Sequence, residues 1–222
     1  MAYLPVSGPC QLRGCPLVFC LSKGPLLCDG SPPPVESFNY LSVLISIILG
    51  LAIAQVLQGV RGLILTRKKA KLYAPTIIWI GNALLIAIQG WWAGFSMHQQ
   101  ANWNFIGLLA IVLQAISVYM IAALVLPDPK GDSGVDLREH YFAHRHWFFG
   151  AVLGSVTFSL LKELALYSRL PHPLDLSFQL AFGMVAIAAL LWRQEWFHKL
   201  LAPASSLLFV LYIALFFYRL HQ

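Results

Sequence analysis

A histidine cluster is the first group of side chains in this sequence with the types and spacing for chemistry. Asp136, His140 and His144 recur every four residues, so a helix would place them on one face. Imidazole and carboxylate groups can bind a divalent metal ion, which gives one function hypothesis, a metal-dependent membrane enzyme. One helix does not readily bring three ligands to one ion, however. The neighbouring Arg138 and Arg145 favour a second interpretation, a surface helix that meets anionic lipid head groups.

A set of amide side chains is the second group, and we call it the polar seam: Gln55, Gln58, Asn82, Gln89 and Gln114. At about 1.5 Å rise per residue, Gln55 and Asn82 lie at matching depth in their helices, and Gln89 matches Gln114. An unpaired amide is costly in hydrocarbon, so we expect these groups to face the interior of a helix bundle. They predict either hydrogen bonds between helices or a path for a small neutral or weakly polar molecule.

A stripe of small residues in the first apolar segment accompanies this seam. Small or polar residues recur there every four positions, at Ser42, Ser46, Gly50, Ala54, Gln58 and Gly62. Such a stripe lets two helices approach closely in a membrane, so it predicts a packing face.

The elements that must position these groups are six long apolar segments. The chain has 222 residues, of which 59% are apolar and 11% charged, which is more apolar surface than a soluble fold of this size can bury. Hydropathy places the spans near residues 38–65, 75–97, 104–126, 147–166, 176–193 and 200–218. The sequence therefore predicts an all-α polytopic membrane protein, a bundle of six transmembrane helices.

The distribution of basic residues predicts the orientation of this bundle. Ten of the fifteen lysines and arginines lie at or near the loops after the first, third and fifth spans, and short basic loops stay in the cytoplasm. Both termini are then periplasmic. The interface residues of this prediction are Arg67, Lys68, Lys69, Lys71, Arg138 and Arg145. The lipid bilayer is the predicted partner, with a second copy or another membrane subunit as a further candidate, and the net charge of +6 does not indicate nucleic-acid binding.

The N-terminal residues 1–34 differ in composition from the rest of the chain. All four cysteines lie there, and the segment ends in three prolines. Their spacing matches no zinc or iron–sulfur pattern. We therefore expect residues 1–34 to be a disordered or non-native extension, and Val35 is a candidate initiator because GTG serves as a bacterial start codon.

Catalytic motifs do not appear in a suitable context anywhere in the chain. There is no GxSxG, HExxH, Walker-type loop or Rossmann fingerprint, so no catalytic residue and no cofactor is predicted, apart from the metal hypothesis above. Coupled ion transport is also disfavoured, because no predicted span has an ionisable group near mid-depth.

Three segments carry a resemblance to a known family: residues 35–52 (VESFNYLSVLISIILGLA), 124–128 (LVLPD) and 136–149 (DLREHYFAHRHWFF). The chain from residue 35 onward resembles an uncharacterised family of bacterial multi-pass inner-membrane proteins. The resemblance implies the bacterial cytoplasmic membrane and no activity. The function expected is non-catalytic: binding or passing a small molecule, or serving as an accessory subunit. The alternatives are a sensor or assembly factor with a cytoplasmic-side partner, and the metal-dependent enzyme.

Overall fold

Six α-helices make up the part of the chain that the structure, a computed structural model, describes. Residues 34–94, 104–127, 136–168 and 171–216 are described. The helices are α1 (Pro34–Leu65), α2 (Ala74–Gly94), α3 (Phe105–Leu124), α4 (Leu137–Tyr167), α5 (Pro173–Leu191) and α6 (Glu195–Phe216). All six are long and apolar enough to cross a membrane, as the sequence predicts. The described ranges contain no β-strand, and the predicted extension 1–34 lies outside them except for Pro34.

The helix ends follow from local sequence. Asn104 caps α3 by accepting a hydrogen bond from the backbone N–H of Gly107, at 2.6 Å. Asp136 caps α4 in the same way. Ser168 ends α4 in the left-handed conformation, with φ of 50°, and Pro173 occupies the first turn of α5, where its missing N–H costs nothing.

Helix α4 extends well beyond the apolar span predicted for it. It begins at Leu137, ten residues before the predicted residue 147. The additional three turns carry the histidine cluster and several charges, so a hydropathy window does not detect them. The polar segment and the apolar span are therefore one continuous rod.

The six helices form a closed ring. Helix α1 packs against α2 and α3, α4 against α3 and α5, and α6 against α5 and α2. Helix α2 also contacts α3 and α4, which places it nearest the centre. Large apolar side chains cover the outer surface, including Met184 and Leu207, which are 64% and 73% exposed. Such a surface fits an apolar solvent.

The stripe of small residues does not form a continuous packing face of α1, so this prediction is wrong for the middle of the helix. Ser46, Gly50 and Gln58 are exposed, whereas Gly62 at the end of the stripe is buried. No neighbouring described element lies within 4 Å of a Cβ built on Gly50. Larger apolar side chains form the buried face instead: Leu41, Ile45, Leu49, Ala52 and Val56. The backbone of α1 comes closest to Leu126, at the end of α3, at Gly59, one position away from the stripe. A Cβ at Gly59 would lie 2.7 Å from Leu126 Cδ1.

Candidate functional site at the basic end

Three connections come together at one end of the bundle, which we call the basic end: residues 66–73, 136–143 and 192–199. The backbone N–H of Leu137 donates to the carbonyl of Lys71 at 3.1 Å, and Lys71 Nζ lies 3.4 Å from Asp136 Oδ2. Arg138 binds Glu195 through two nitrogens, Nε at 3.0 Å and Nη2 at 2.7 Å. The ends of α1, α4 and α6 are thereby joined.

A buried tyrosine–histidine pair lies beneath these ion pairs. His198 is fully buried, and its Nε2 lies 2.9 Å from the carbonyl oxygen of Trp192. A carbonyl only accepts, so Nε2 carries the proton and Nδ1 is left as an acceptor. The hydroxyl of Tyr141, 2.9 Å away, therefore donates to Nδ1. One chain of hydrogen bonds runs from α4 through α6 to the end of α5.

Aromatic rings enclose this pair. Phe142 and Phe149 contact the His198 ring at centroid distances of 5.4 and 5.9 Å. Phe149 also meets Trp79 of α2 edge to face at 5.4 Å. Edge-to-face rings add to simple burial, so the centre of the basic end is a packed, specific core.

Arg145 belongs to this core, which corrects its assignment to the lipid interface. Its side chain is only 7% exposed. Nη1 donates to the carbonyl oxygens of Ala189 and Trp192, each at 3.2 Å. These carbonyls lie at the C-terminus of α5, where a helix leaves acceptors unpaired and carries partial negative charge. Arg145 therefore completes a helix end, which hydropathy alone does not reveal.

Two buried polar side chains at the start of α2 are unpaired. Tyr73 Oη, just before the helix, and Thr76 Oγ1 in its first turn have no hydrogen-bond partner among the described residues. Burial, reinforced by the negative charge of Glu195, raises the pKa of Tyr73 to about 12. Tyr73 therefore stays a neutral donor at physiological pH.

The side chains of the predicted histidine cluster form hydrogen bonds with backbone groups. Asp136 accepts hydrogen bonds from the backbone N–H groups of Arg138 and Glu139. His140 Nε2 donates to the carbonyl oxygen of Leu124 at 3.2 Å. His144 Nδ1 donates to the carbonyl oxygen of His140. The His140 and His144 rings do lie close, with centroids 4.4 Å apart. No group of three candidate metal ligands occurs within the described ranges, and the metal hypothesis stays a prediction.

The carboxyl group of Asp136 is held in its charged form. Its pKa is lowered, first by the backbone hydrogen bond from Glu139 and then by Lys71. Both interactions are stronger with the ionised carboxylate than with the neutral acid. Asp136 therefore acts as a helix cap and as a bridge between α4 and the loop after α1.

The polar seam does not assemble as one surface. Asn82 is 4% exposed and accepts a hydrogen bond from Ser206 of α6 at 2.8 Å. Gln55, Gln89 and Gln114 are partly buried, and Gln58 is exposed, so the interior placement expected for Gln58 is wrong. No hydrogen bond joins two of these five amides, all of which are described. The partner of Asn82 is a serine on α6 that sequence analysis does not single out.

A cleft with a volume of about 540 Å³ opens beside the buried pair. It is lined by Asp136, Arg138, Glu139, Phe142, Ala143, Arg193 and Glu195. Asp136 pairs with Lys71, and Glu195 pairs with Arg138 and Lys199. Among the described residues, Arg193 and the Glu139 carboxylate belong to no ion pair. The cleft thus offers one guanidinium and one carboxylate to a ligand.

The remaining predicted interface residues surround this region. Arg67, Lys68, Lys69 and Lys71 are exposed, as expected for side chains that meet water or head groups. Lys130, a further basic residue in the loop after the third span, lies outside the described residues.

The functional candidates that sequence reasoning missed are Glu139 and Arg193 in the cleft, and Tyr141 and His198 beneath it. Their one sequence signal is position, since each lies within eight residues of a predicted inner helix end.

Comparisons with known proteins found no relative from which a function could be inferred. No protein-family model matches the chain, and neither the curated proteins nor the solved structures contain a match.

Proposed function

We propose that the chain is a non-catalytic, six-span protein of the bacterial cytoplasmic membrane that binds a small zwitterionic amphiphile in the cleft at its basic end. The observation that carries the proposal is the pair of unmatched opposite charges, Arg193 and Glu139, in a cleft whose other charges are already paired. A zwitterionic ligand could pair with both of these side chains, and it is polar but carries no net charge.

The orientation of the bundle supports this location. Ten of the fifteen lysines and arginines lie at or near the three sequence loops predicted for this side of the membrane, and short basic loops remain in the cytoplasm. We therefore place the cleft at the inner surface of the membrane and both termini in the periplasm. The resemblance of the chain to bacterial multi-pass inner-membrane proteins supports the choice of membrane.

The chemistry of the cleft indicates what it would bind. A guanidinium recognises phosphate or carboxylate oxygens in a bidentate manner, so Arg193 suits the anionic group of the ligand. The Glu139 carboxylate suits an ammonium group. Phe142 and Ala143 form the apolar part of the lining, which suits the first carbons of an acyl or alkyl chain. Phosphatidylethanolamine has all three features.

Mass spectrometry of the intact protein in nanodiscs can test this proposal. The probe lipids are phosphatidylethanolamine, which has both charges, and phosphatidylglycerol, which lacks the ammonium group. We expect the wild-type protein to retain phosphatidylethanolamine preferentially. Arg193→Gln and Glu139→Gln should each weaken that retention about ten-fold, as the loss of one charged hydrogen bond implies. Lys68→Gln, which changes the charge of the same end outside the cleft, should not.

The pattern of variants distinguishes this proposal from its competitors. Glu139→Gln should not weaken phosphatidylglycerol retention, because this anionic lipid has no ammonium group for the carboxylate to pair with. Equal retention of both lipids by wild type and all variants would overturn the proposal. Stoichiometric co-purification of another membrane protein that is lost with Arg193→Gln would also overturn it, in favour of an accessory subunit or a sensor.

A further inference from the structure

The aromatic part of the cleft at the basic end is a single ring. Among the described residues that line the cleft, Phe142 is the one aromatic side chain. Its ring meets the rings of Tyr73, Tyr141 and His198 inside the protein, at centroid distances of 6.0, 5.3 and 5.4 Å. The surface that Phe142 can offer to a ligand is therefore the part that these three neighbours leave uncovered.

A guanidinium group lies over the Phe142 ring. Arg138 is one helical turn before Phe142 on α4, and its Cζ is 5.8 Å from the ring centroid. This distance is within the range of a cation–π interaction, which extends to about 6 Å. Since both residues line the cleft, a cation that belongs to the protein already occupies an aromatic face that a cationic ligand could use.

Glu195 of α6 holds the guanidinium in this position. Arg138 Nε and Nη2 donate to the same oxygen of Glu195, at 3.0 and 2.7 Å. The other oxygen of Glu195 pairs with Lys199 Nζ at 2.9 Å. Moving Arg138 away from the ring would break both of its hydrogen bonds to Glu195, and hydrogen bonds between charged groups are stronger than neutral ones. The ion pair therefore keeps Phe142 covered.

Ammonium head groups differ in what they need from such a cleft. A primary ammonium group has three N–H donors, which suit the Glu139 carboxylate. A quaternary ammonium group has no N–H donor, and proteins recognise it by the faces of aromatic rings. Glu139 lies three residues before Phe142 and so shares its side of α4. A quaternary group beside Glu139 would find neither a hydrogen bond nor a free aromatic face.

We propose that Arg138, held by Glu195, restricts the cleft to primary ammonium head groups by covering the Phe142 ring against quaternary ones. This inference rests on the proposed function, because it names the class of ammonium group that the same cleft accepts. Arg138 determines specificity in this assignment, whereas Arg193 and Glu139 provide the binding charges. The lipids distinguished are phosphatidylethanolamine and phosphatidylcholine, which share the phosphate and differ in the methylation of the nitrogen.

Mass spectrometry of the intact wild-type protein in nanodiscs provides the first test. The probes are phosphatidylethanolamine, its N-methyl and N,N-dimethyl derivatives, phosphatidylcholine, and phosphatidylglycerol, all with the same acyl chains. We expect phosphatidylethanolamine to be retained about ten-fold better than phosphatidylcholine, with the partly methylated lipids in between, because each methyl group removes a donor to Glu139.

The same measurement separates the failure of this inference from the failure of the proposed function. If phosphatidylcholine is retained as well as phosphatidylethanolamine, and both better than phosphatidylglycerol, the cleft binds zwitterionic lipids but does not select the primary ammonium group. That result would overturn this inference alone. Equal retention of all the lipids would overturn the proposed function and this inference with it.

A charge-neutral pair of substitutions then tests the role of Arg138. Arg138→Gln combined with Glu195→Gln uncovers Phe142 without changing the net charge of the cleft, and the loss of such an exposed ion pair has little effect on stability. We expect this double variant to raise the ratio of phosphatidylcholine to phosphatidylethanolamine retention about ten-fold, as one aromatic contact to a cation implies. Adding Phe142→Leu should abolish that gain, because leucine has no aromatic face.

Lys199→Gln is the matched control. It removes one cation from the same group of ion pairs but leaves Arg138 over Phe142, so the ratio of the two lipids should stay at the wild-type value. A wild-type ratio in the double variant would overturn the inference, as would a gain that persists after Phe142→Leu. An equal rise of the ratio in Lys199→Gln would also overturn it, since the charge of the ion pairs and not the uncovered ring would then be responsible.

Discussion

The hydroxyl of Tyr141 donates a hydrogen bond to Nδ1 of His198 across 2.9 Å, and both side chains are buried. Since His198 Nε2 donates in turn to the carbonyl of Trp192, the histidine holds α4, α6 and the end of α5 together. A hydrogen bond inside a membrane bundle has no competing water, but the unfolded state in the membrane also finds partners. The net contribution of each bond is therefore moderate.

The first prediction concerns this pair. Tyr141→Phe leaves His198 Nδ1 buried and unpaired, so we expect a loss of about 1–3 kcal/mol in the free energy of unfolding. His198→Leu leaves the Tyr141 hydroxyl and the Trp192 carbonyl without their partner and should cost more. The double variant should be less destabilised than the sum of the two, because the pair acts as a unit.

Reversible unfolding in detergent measures these free energies. Tyr119→Phe is the control, since Tyr119 is only partly buried on α3 and its hydroxyl forms no hydrogen bond with another described residue. Strict additivity of the Tyr141 and His198 changes would show that the two side chains do not interact.

The second prediction concerns Arg145. Arg145→Met removes two hydrogen bonds from the C-terminus of α5 and should lower the free energy of unfolding by about 2–3 kcal/mol. Arg145→Lys keeps the charge near the helix end but lacks the planar guanidinium, so it should recover only part of that loss. Arg67→Met, at an exposed site of the same end, should have little effect. If Arg145 met lipid head groups instead, both methionine variants would behave alike in detergent.

The third prediction uses the pH dependence of Asp136. Its pKa is lowered in the folded protein by the Glu139 backbone hydrogen bond and by Lys71. A carboxyl group whose pKa is lower in the folded state contributes stability at pH values above its unfolded pKa of about 4. That stability is lost as the pH falls through the folded pKa. Unfolding temperatures of wild type should therefore fall more steeply below about pH 4 than those of Asp136→Asn. Parallel curves for the two proteins would show that Asp136 has no such role.

Much of the fold could be predicted from the length and hydropathy of the apolar segments. Apolar segments long enough to cross a bilayer predict helices, and the six predicted spans correspond to the six observed helices. The predicted helix ends were less accurate where a helix begins in a polar segment, as in the first three turns of α4. Hydropathy measures the solvent a segment prefers and does not measure where its helix begins.

The side-chain partners could not be predicted in the same way. Asn82 faces the bundle interior, as predicted, but its partner Ser206 could not be identified in advance, because depth in the membrane does not specify which helices are neighbours in the ring. Arg145 resembles a surface cation by its neighbours in sequence, yet its guanidinium donates to carbonyl oxygens at the end of α5. Both contacts join different helices, α2 with α6 and α4 with α5, and a hydropathy pattern carries no information on such contacts.

The fourth prediction compares two glycines of α1 that a small-residue pattern does not distinguish. A Cβ at Gly59 would lie 2.7 Å from Leu126 Cδ1 and 2.9 Å from Leu126 Cβ, whereas nothing lies within 4 Å of one at Gly50. The Leu126 Cβ is fixed to its backbone, so Gly59→Ala must displace α1 from the end of α3 and should cost about 1–3 kcal/mol of unfolding free energy.

Gly50→Ala is the matched control for this change, because it adds the same methyl group to the same helix. It should be neutral or stabilising by up to about 1 kcal/mol, since alanine forms helix better than glycine. Thermal unfolding of the two variants in one detergent measures the difference. A Gly50→Ala variant less stable than Gly59→Ala would mean that the small-residue stripe, with Gly50 at its centre, packs against another surface and that the outward placement of this face is incorrect.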